Sequence, residues 1–303
     1  MTNKLRQYFP MIHTRQEVLA EIEAKPKLKQ EFYSWEKKYR KEFLDFCTGV
    51  KGVKIMYDFI SKEILNPETV PERVEELLSL LIGQQVHIKE VLPNDGTRIS
   101  DESTLVIMDM VVELEDGSIV NLEVQKIGYK FPGARSACYS ADLLLRQYKK
   151  VRSKKGKKFN YTDVKDVYTI VLFETSPSQL HKFRDVYLHH YFEQHSNTGI
   201  QLNLLQKYLF ISIDIFLKYQ QNIGIQLETR RDAWLAFMGS DNPDIILKVI
   251  EKYPDFKEMY QQVYEICQNI EEVMGMFSKE LAEMDRNTAQ LMIDEMQEDI
   301  KQK

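Results

Sequence analysis

The stretch Leu105-Val106-Ile107-Met108-Asp109-Met110-Val111-Val112-Glu113-Leu114, Glu115-Asp116-Gly117-Ser118, Ile119-Val120-Asn121-Leu122-Glu123-Val124-Gln125 decides the fold. Its first run is apolar and rich in β-branched residues, as a strand requires. Its last run alternates strictly from Val120 onward, the period of a pleated strand. Asp-Gly between two such runs is a strong hairpin signal, because glycine accepts the positive φ of a tight turn.

Residues that face each other across an antiparallel hairpin have numbers with a constant total. A turn about Asp116 therefore opposes Asp109 to Glu123, with side chains on one face and Cβ atoms roughly 5 Å apart. Gln125 lies two residues on and shares that face. Opposed carboxylates repel each other, so something must offset the pairing. A divalent cation held by both would do so. The competing reading is a pair of solvated acids on the wet face of a hairpin, or a bulge that shifts the register by one. The neighbours speak for the cation: Met108 and Met110 flank Asp109, and Leu122 and Val124 flank Glu123.

Working outward, 303 residues can bury a substantial core in one large domain or two. Hydrophobic residues at 43% and charged residues at 29% are ordinary for a globular protein. Cys47, Cys138 and Cys267 are far apart and form no CxxC pair. That argues against a disulfide framework and a thiolate zinc site, and fits a reducing cytoplasm. The N-terminus lacks an export-type apolar core, and no stretch approaches 18 apolar residues, so no membrane association is expected. The net charge of −5 excludes a bulk polycation. Any nucleic-acid site must be a local basic patch.

Three segments are expected: 1–48, helical; 49–220, the core; and 221–303, helical. Tyr57–Leu65 reads as a short helix. Pro71–Gly83 is a clearer one, with proline in its first turn and Gly83 placed to end it. Val86–Leu92 reads as a strand before the hairpin. Ala134–Val151 is helical, Val167–Phe173 is a strand buried on both faces, and Tyr208–Phe216 reads as another strand. The order from 71 to 173 is helix, strand, strand, strand, helix, strand.

That order resembles the core of the PD-(D/E)XK nuclease superfamily, an α/β fold with a mixed sheet. The expectation is thus a restriction-endonuclease-like αβββαβ core with added N- and C-terminal helices. The local sequence resembles one branch, the bacterial PD-(D/E)XK nuclease family transposases related to the Rpn recombination-promoting nucleases. The residues carrying the likeness are Val106–Val112, Asp116–Lys126 and Phe131–Tyr148. Upstream, Asp58-Phe59-Ile60-Ser61-Lys62-Glu63-Ile64 is similar to that branch's Asp-Pro-x-Phe-Lys-x-Ile/Leu segment, with its Pro and Phe replaced. Downstream, Met276–Leu281, Asn287-Thr288 and Met292–Met296 add to the likeness, which spans roughly residues 45 to 297. One position departs from the superfamily pattern: its usual lysine is Gln125 here, a variant that is similar to this branch's own.

The resemblance implies metal-assisted hydrolysis of a phosphodiester in DNA. Asp109 and Glu123, with the backbone carbonyl of Val124, would hold Mg²⁺, and Mn²⁺ could replace it. Asp109, Glu123 and Gln125 would be the catalytic residues. Gln125 can donate a hydrogen bond to phosphate or water but carries no charge. Asp58 is a further candidate ligand, or else caps its helix. Arg135, Arg146 and Gln147 lie on the helix after the hairpin. The two arginines, eleven residues apart, point the same way and could touch DNA phosphates, or could pair with Asp142 or Glu174. Lys149–Lys158 holds seven Lys or Arg in ten residues. It is a candidate phosphate-backbone patch or a solvated flexible loop. His181, His189, His190 and His195 could be imagined as a zinc site, but adjacent His189 and His190 would point to opposite faces of a strand.

The leading expectation is a cytoplasmic, Mg²⁺-dependent DNA endonuclease linked to recombination or mobile DNA. The alternatives are a DNA-binding or protein-interaction module on a nuclease fold, or an RNase. The C-terminal helices offer a surface through which copies of the chain could pair.

Overall fold

The computed structural model describes residues 3–93, 110–126 and 132–301. The chain divides into two compact units, Pro67–Tyr219 and a helical unit of Met1–Asn66 with Gln220–Lys303. The helical unit opens with α1 (Lys4–Tyr8), α2 (Arg15–Ala24), α3 (Pro26–Ser34), α4 (Lys37–Cys47) and α5 (Asp58–Ile64). Thr14 and Glu17 form a reciprocal cap at the start of α2, satisfying two otherwise orphan N–H groups.

The other unit starts with α6 (Pro71–Ile82), which buries Val74, Leu77, Leu78 and Leu81 along one stripe. Gly83 ends it as expected, at φ +83° with its N–H on the Ser79 carbonyl. Glu75 of α6 accepts the Ile88 N–H at 2.7 Å and so ties the helix to β1 (Ile88–Val91). β2 (Met110–Leu114) and β3 (Ile119–Gln125) form the expected hairpin. Met110 pairs with Leu122, Val111 with Asn121, Val112 with Val120 and Glu113 with Ile119, which is the register expected from a turn about Asp116. Gly117 sits at φ +89°, the conformation for which glycine is chosen.

Next come α7 (Pro132–Lys155), β4 (Val167–Phe173), β5 (Leu188–Tyr191), β6 (Gln206–Ser212) and α8 (Ile213–Asn222). Among the described residues the sheet has the order β1-β2-β3-β4-β6-β5. β3, β4 and β6 are parallel neighbours at its centre, and the remaining pairings are antiparallel. Every residue of β4 is buried, as its nearly all-apolar sequence requires. Tyr139 and Leu143 of α7 pack on Val111, Ile119 and Val167 of the sheet. The architecture is mixed α/β and has the αβββαβ order of a restriction-endonuclease-like core.

Two local expectations are corrected. The strand expected over Tyr208–Phe216 ends at Ser212, and Ile213 begins a helix. A short apolar run fits either element, and Asp214 decides by accepting the Ser176 N–H and hydroxyl in the first turn of α8. The basic run is not a loop: Lys149–Lys155 continue α7, followed by a 3₁₀ turn at Gly156–Lys158. Cations in a helix's last turn meet the negative end of its dipole, which favours the extension.

After α8 the helical unit resumes with α9 (Arg230–Gly239), α10 (Pro243–Lys252), α11 (Phe256–Ile266) and α12 (Ile270–Lys301). Phe277 of α12 meets Trp35, Phe43, Phe46 and Tyr57 with ring centroids 5.3–5.8 Å apart. Trp234, Phe237, Phe256 and Tyr260 form a second aromatic group. No described helix is long and apolar enough to cross a membrane.

Candidate active site

β3 runs through the interior because its alternate residues are apolar on one face: Val120 and Leu122 are buried. The other face carries Asn121, Glu123 and Gln125, and these three polar residues are buried as well. Glu123 is 3% exposed and Gln125 6% exposed. Burying a carboxylate and an amide side by side is costly unless each finds a partner. The Asn121 amide donates to Glu123 Oε1 at 3.2 Å. Gln125 Oε1 is buried and has no hydrogen-bond partner among the described residues. In parallel register, Asn121, Glu123 and Gln125 lie beside Thr169, Val171 and Phe173 of β4, and the Thr169 hydroxyl is also buried without a partner among the described residues. A buried polar atom without a partner calls for an explanation, and a bound ion is one.

Main-chain carbonyls alternate along a strand between its two edges. The Gln125 carbonyl accepts the Glu174 N–H at 2.8 Å, on the β4 side. The Val124 carbonyl therefore points to the β2 edge, the side from which Asp109 is expected. Asp109 itself lies outside the described residues. Among the described residues no three His, Cys, Asp or Glu side chains gather as a metal site. The donors β3 offers, one carboxylate and one main-chain carbonyl, are hard oxygens of the kind that suit Mg²⁺ or Mn²⁺. The residues present thus fit such an ion.

The other candidates fall elsewhere. Gln147 is buried on α7 and both ends of its amide are used: Nε2 donates to the Gly117 carbonyl at 3.0 Å, and Oε1 accepts the Lys165 N–H at 2.7 Å. It braces the hairpin turn against the start of β4. Arg146 pairs with Asp142 at 2.7 Å and donates to the Pro93 carbonyl at 3.1 Å, so the pairing with Asp142 anticipated from sequence is formed. The Arg135 guanidinium lies 5.1 Å from the Tyr139 ring centroid. Asp58 belongs to the helical unit, is the first residue of α5, and pairs with Lys62 at 2.7 Å. His189 and His190 are neighbours on β5, His181 pairs with Asp214 at 3.2 Å, and His195 with Glu193 at 3.2 Å.

Asn121 was not among the expected site residues. Its signal was available: it shares the period-2 face of Glu123 and Gln125 in an otherwise apolar strand. A polar residue at such a position needs a buried partner, and Glu123 is that partner.

No curated protein and no solved structure gives a significant match to the chain. The sequence model of one family, described as PD-(D/E)XK nuclease family transposase, matches residues 55–291. That span takes in the whole hairpin, the strand with Glu123 and Gln125, and most of the helices that follow. Nucleases of this kind generally use divalent metal ions and act on nucleic acid. The chain belongs to the PD-(D/E)XK nuclease family transposases.

Proposed function

We propose that the chain is a Mg²⁺-dependent DNA endonuclease, linked to recombination or mobile DNA, with Asp109, Glu123 and Gln125 as its catalytic residues. One observation carries the reading: Glu123 and Gln125 are buried side by side on β3, and the Gln125 amide oxygen has no hydrogen-bond partner among the described residues. Further support comes from the register of Met110 to Glu113, which is the one expected from a turn about Asp116.

Asp109, Glu123 and the Val124 carbonyl would hold the Mg²⁺, with Mn²⁺ as a substitute. Such an ion, when bound, polarises the phosphoryl group and acidifies a water. Asn121 fixes the Glu123 carboxylate in one orientation through its amide hydrogen bond. The Gln125 amide can donate to the scissile phosphate or hold the attacking water, without the positive charge a lysine would bring. The three cysteines are free thiols, as a cytoplasmic location would have it.

The test is purified protein with plasmid, single-stranded DNA and RNA in Mg²⁺, Mn²⁺ or EDTA. Wild type should nick or cut DNA only with metal. Asp109→Ala and Glu123→Ala should each abolish cutting while circular dichroism shows the fold retained. If both variants cut like wild type, the site assignment is wrong. One feature favours a second reading, a DNA-binding module without turnover: the uncharged Gln125 in the lysine position. DNA binding with no cutting in either metal would establish it.

A further inference from the structure

Six lysines converge where the hairpin turn meets the end of α7. Lys89, Lys150, Lys154, Lys155, Lys158 and Lys165 line a cavity of about 530 Å³ together with Glu113, Asp116 and Asp163. The lysines exceed the carboxylates by three in a chain whose net charge is −5. Two carboxylates are already taken: Glu113 holds Lys89 and Lys150, and Asp163 holds Lys155. Lys154 and Lys158 make no ion pair with any described residue, and both are exposed. Their charges are left for a ligand.

Aromatic residues are chain neighbours of the lining residues Gln147, Lys158 and Asp163. Tyr148 and Tyr161 are stacked at 10° with centroids 6.3 Å apart, and Phe159 meets each edge-on. Arg152 lies 5.6 Å over the Tyr148 ring and donates to its hydroxyl. Tyr161 is 75% exposed, although a phenol ring of that size normally seeks cover. It lies two residues before Asp163, which lines the cavity.

Phosphate-binding cations next to an open aromatic face are the two parts that hold a nucleic-acid strand without base pairing. We propose that this cavity is a second nucleic-acid site, taking backbone phosphates of a single strand on Lys154 and Lys158 with a base stacked on Tyr161. It lies at the turn end of the sheet, and Glu123 lies six residues further along from Gly117. At strand spacing that is roughly 20 Å, about six phosphate spacings of a stacked strand. The site therefore grips the substrate away from the scissile bond. The inference rests on the nucleic-acid substrate proposed above, but not on cleavage.

The experiment is fluorescence anisotropy of the full chain with a labelled 20-nucleotide oligothymidylate in EDTA, so that binding is read without turnover. The Lys154→Glu/Lys158→Glu double variant should bind at least tenfold more weakly. Its log-affinity should also fall less steeply with log salt, by about one to two in slope. Tyr161→Ala should weaken single-strand binding roughly tenfold and leave a duplex of equal length nearly unchanged. Unchanged affinity in the double variant overturns the site. Equal effects of Tyr161→Ala on strand and duplex, or none on either, overturn the single-strand assignment. Binding of inorganic tripolyphosphate but not of the oligonucleotide makes the cavity a small-anion site and also overturns it. Loss of cleavage with this binding intact would count against the nuclease reading alone.

Discussion

Glu90 and Glu113 face each other across β1 and β2, two acids in the position that the sequence assigns to Asp109 and Glu123. Here the cation that offsets their repulsion is an ammonium. Lys150 reaches both, at 2.8 Å each, and Lys89 adds a second contact to Glu113. Burial by itself would raise the Glu113 carboxyl, but the hydrogen bonds from Lys150 and Lys89 outweigh it and hold the group below the usual carboxylate range. The bond to Glu113, with that to Glu90, pushes Lys150 upward. A carboxyl lowered in the folded state stabilises fully above its ordinary value of 4.5, and that contribution is lost as pH falls through the lower folded value. Glu113→Gln should therefore flatten the acid side of the melting temperature profile below the ordinary carboxyl value of 4.5. Lys150→Ala should cost ~1–2 kcal/mol at neutral pH, the low end for an ion pair because the lysine is half exposed. Most of that cost should vanish when Glu113→Gln is already present. A double-mutant cycle by urea unfolding measures both, and additive costs would show that Lys150 does not act through Glu113.

The hairpin is the element that positions Glu123 and Gln125, and its own stability rests on few groups. Gly117 turns the chain with positive φ, and a Cβ there would come within 3.3 Å of Lys165 Cγ. Gln147 ties the same residue's carbonyl to the backbone of Lys165. Gln147→Leu keeps most of the volume but strands the Gly117 carbonyl and the Lys165 N–H, both part-buried, at a cost of ~1 kcal/mol. Its sharper readout is local: amide hydrogen exchange over β2 and β3 should quicken more than over β4. Uniform quickening across the sheet would mean that Gln147 supports the core at large. The hairpin register, α6 with its glycine end, and β4 were all legible in the sequence, because period, turn chemistry and buried-strand composition are local signals. β5 was not legible: its four residues, Leu-His-His-Tyr, carry no alternation, and their pairing with β6 is set by tertiary contact. The end of β6 was misplaced for a related reason, since the hydrogen bonds that hold Asp214 come from Ser176, far away in sequence. At the site, Glu123 and Gln125 were legible as polar interruptions of an apolar strand, and Asn121 carried the same signal unread. The bracing role of Gln147 could not be seen, because its partners are two main-chain groups that only the fold brings to it.

At the scale of the molecule the two units differ in how the chain builds them. Pro67–Tyr219 is one continuous stretch, whereas the helical unit needs both ends of the chain. Its aromatic core shows the dependence: Trp35, Phe43 and Phe46 come from the N-terminal stretch, and Phe277, which meets all three, comes from α12. Trp35 also donates its indole N–H to Ser278 at 3.2 Å. Neither end can complete that core alone. A continuous stretch of about 150 residues, by contrast, is of a size that buries enough surface to fold by itself. A fragment of residues 67–222, which keeps α8 whole, should give a cooperative melting transition and a mixed α/β circular dichroism spectrum. Deleting residues 2–48 from the full chain should strip the aromatic core of three of its rings and remove the helical unit's own transition, while the transition of the sheet unit survives. Calorimetry of the three proteins decides. A 67–222 fragment that stays unfolded, or a deletion that abolishes both transitions together, would show that the sheet unit draws its stability from outside its own stretch of chain.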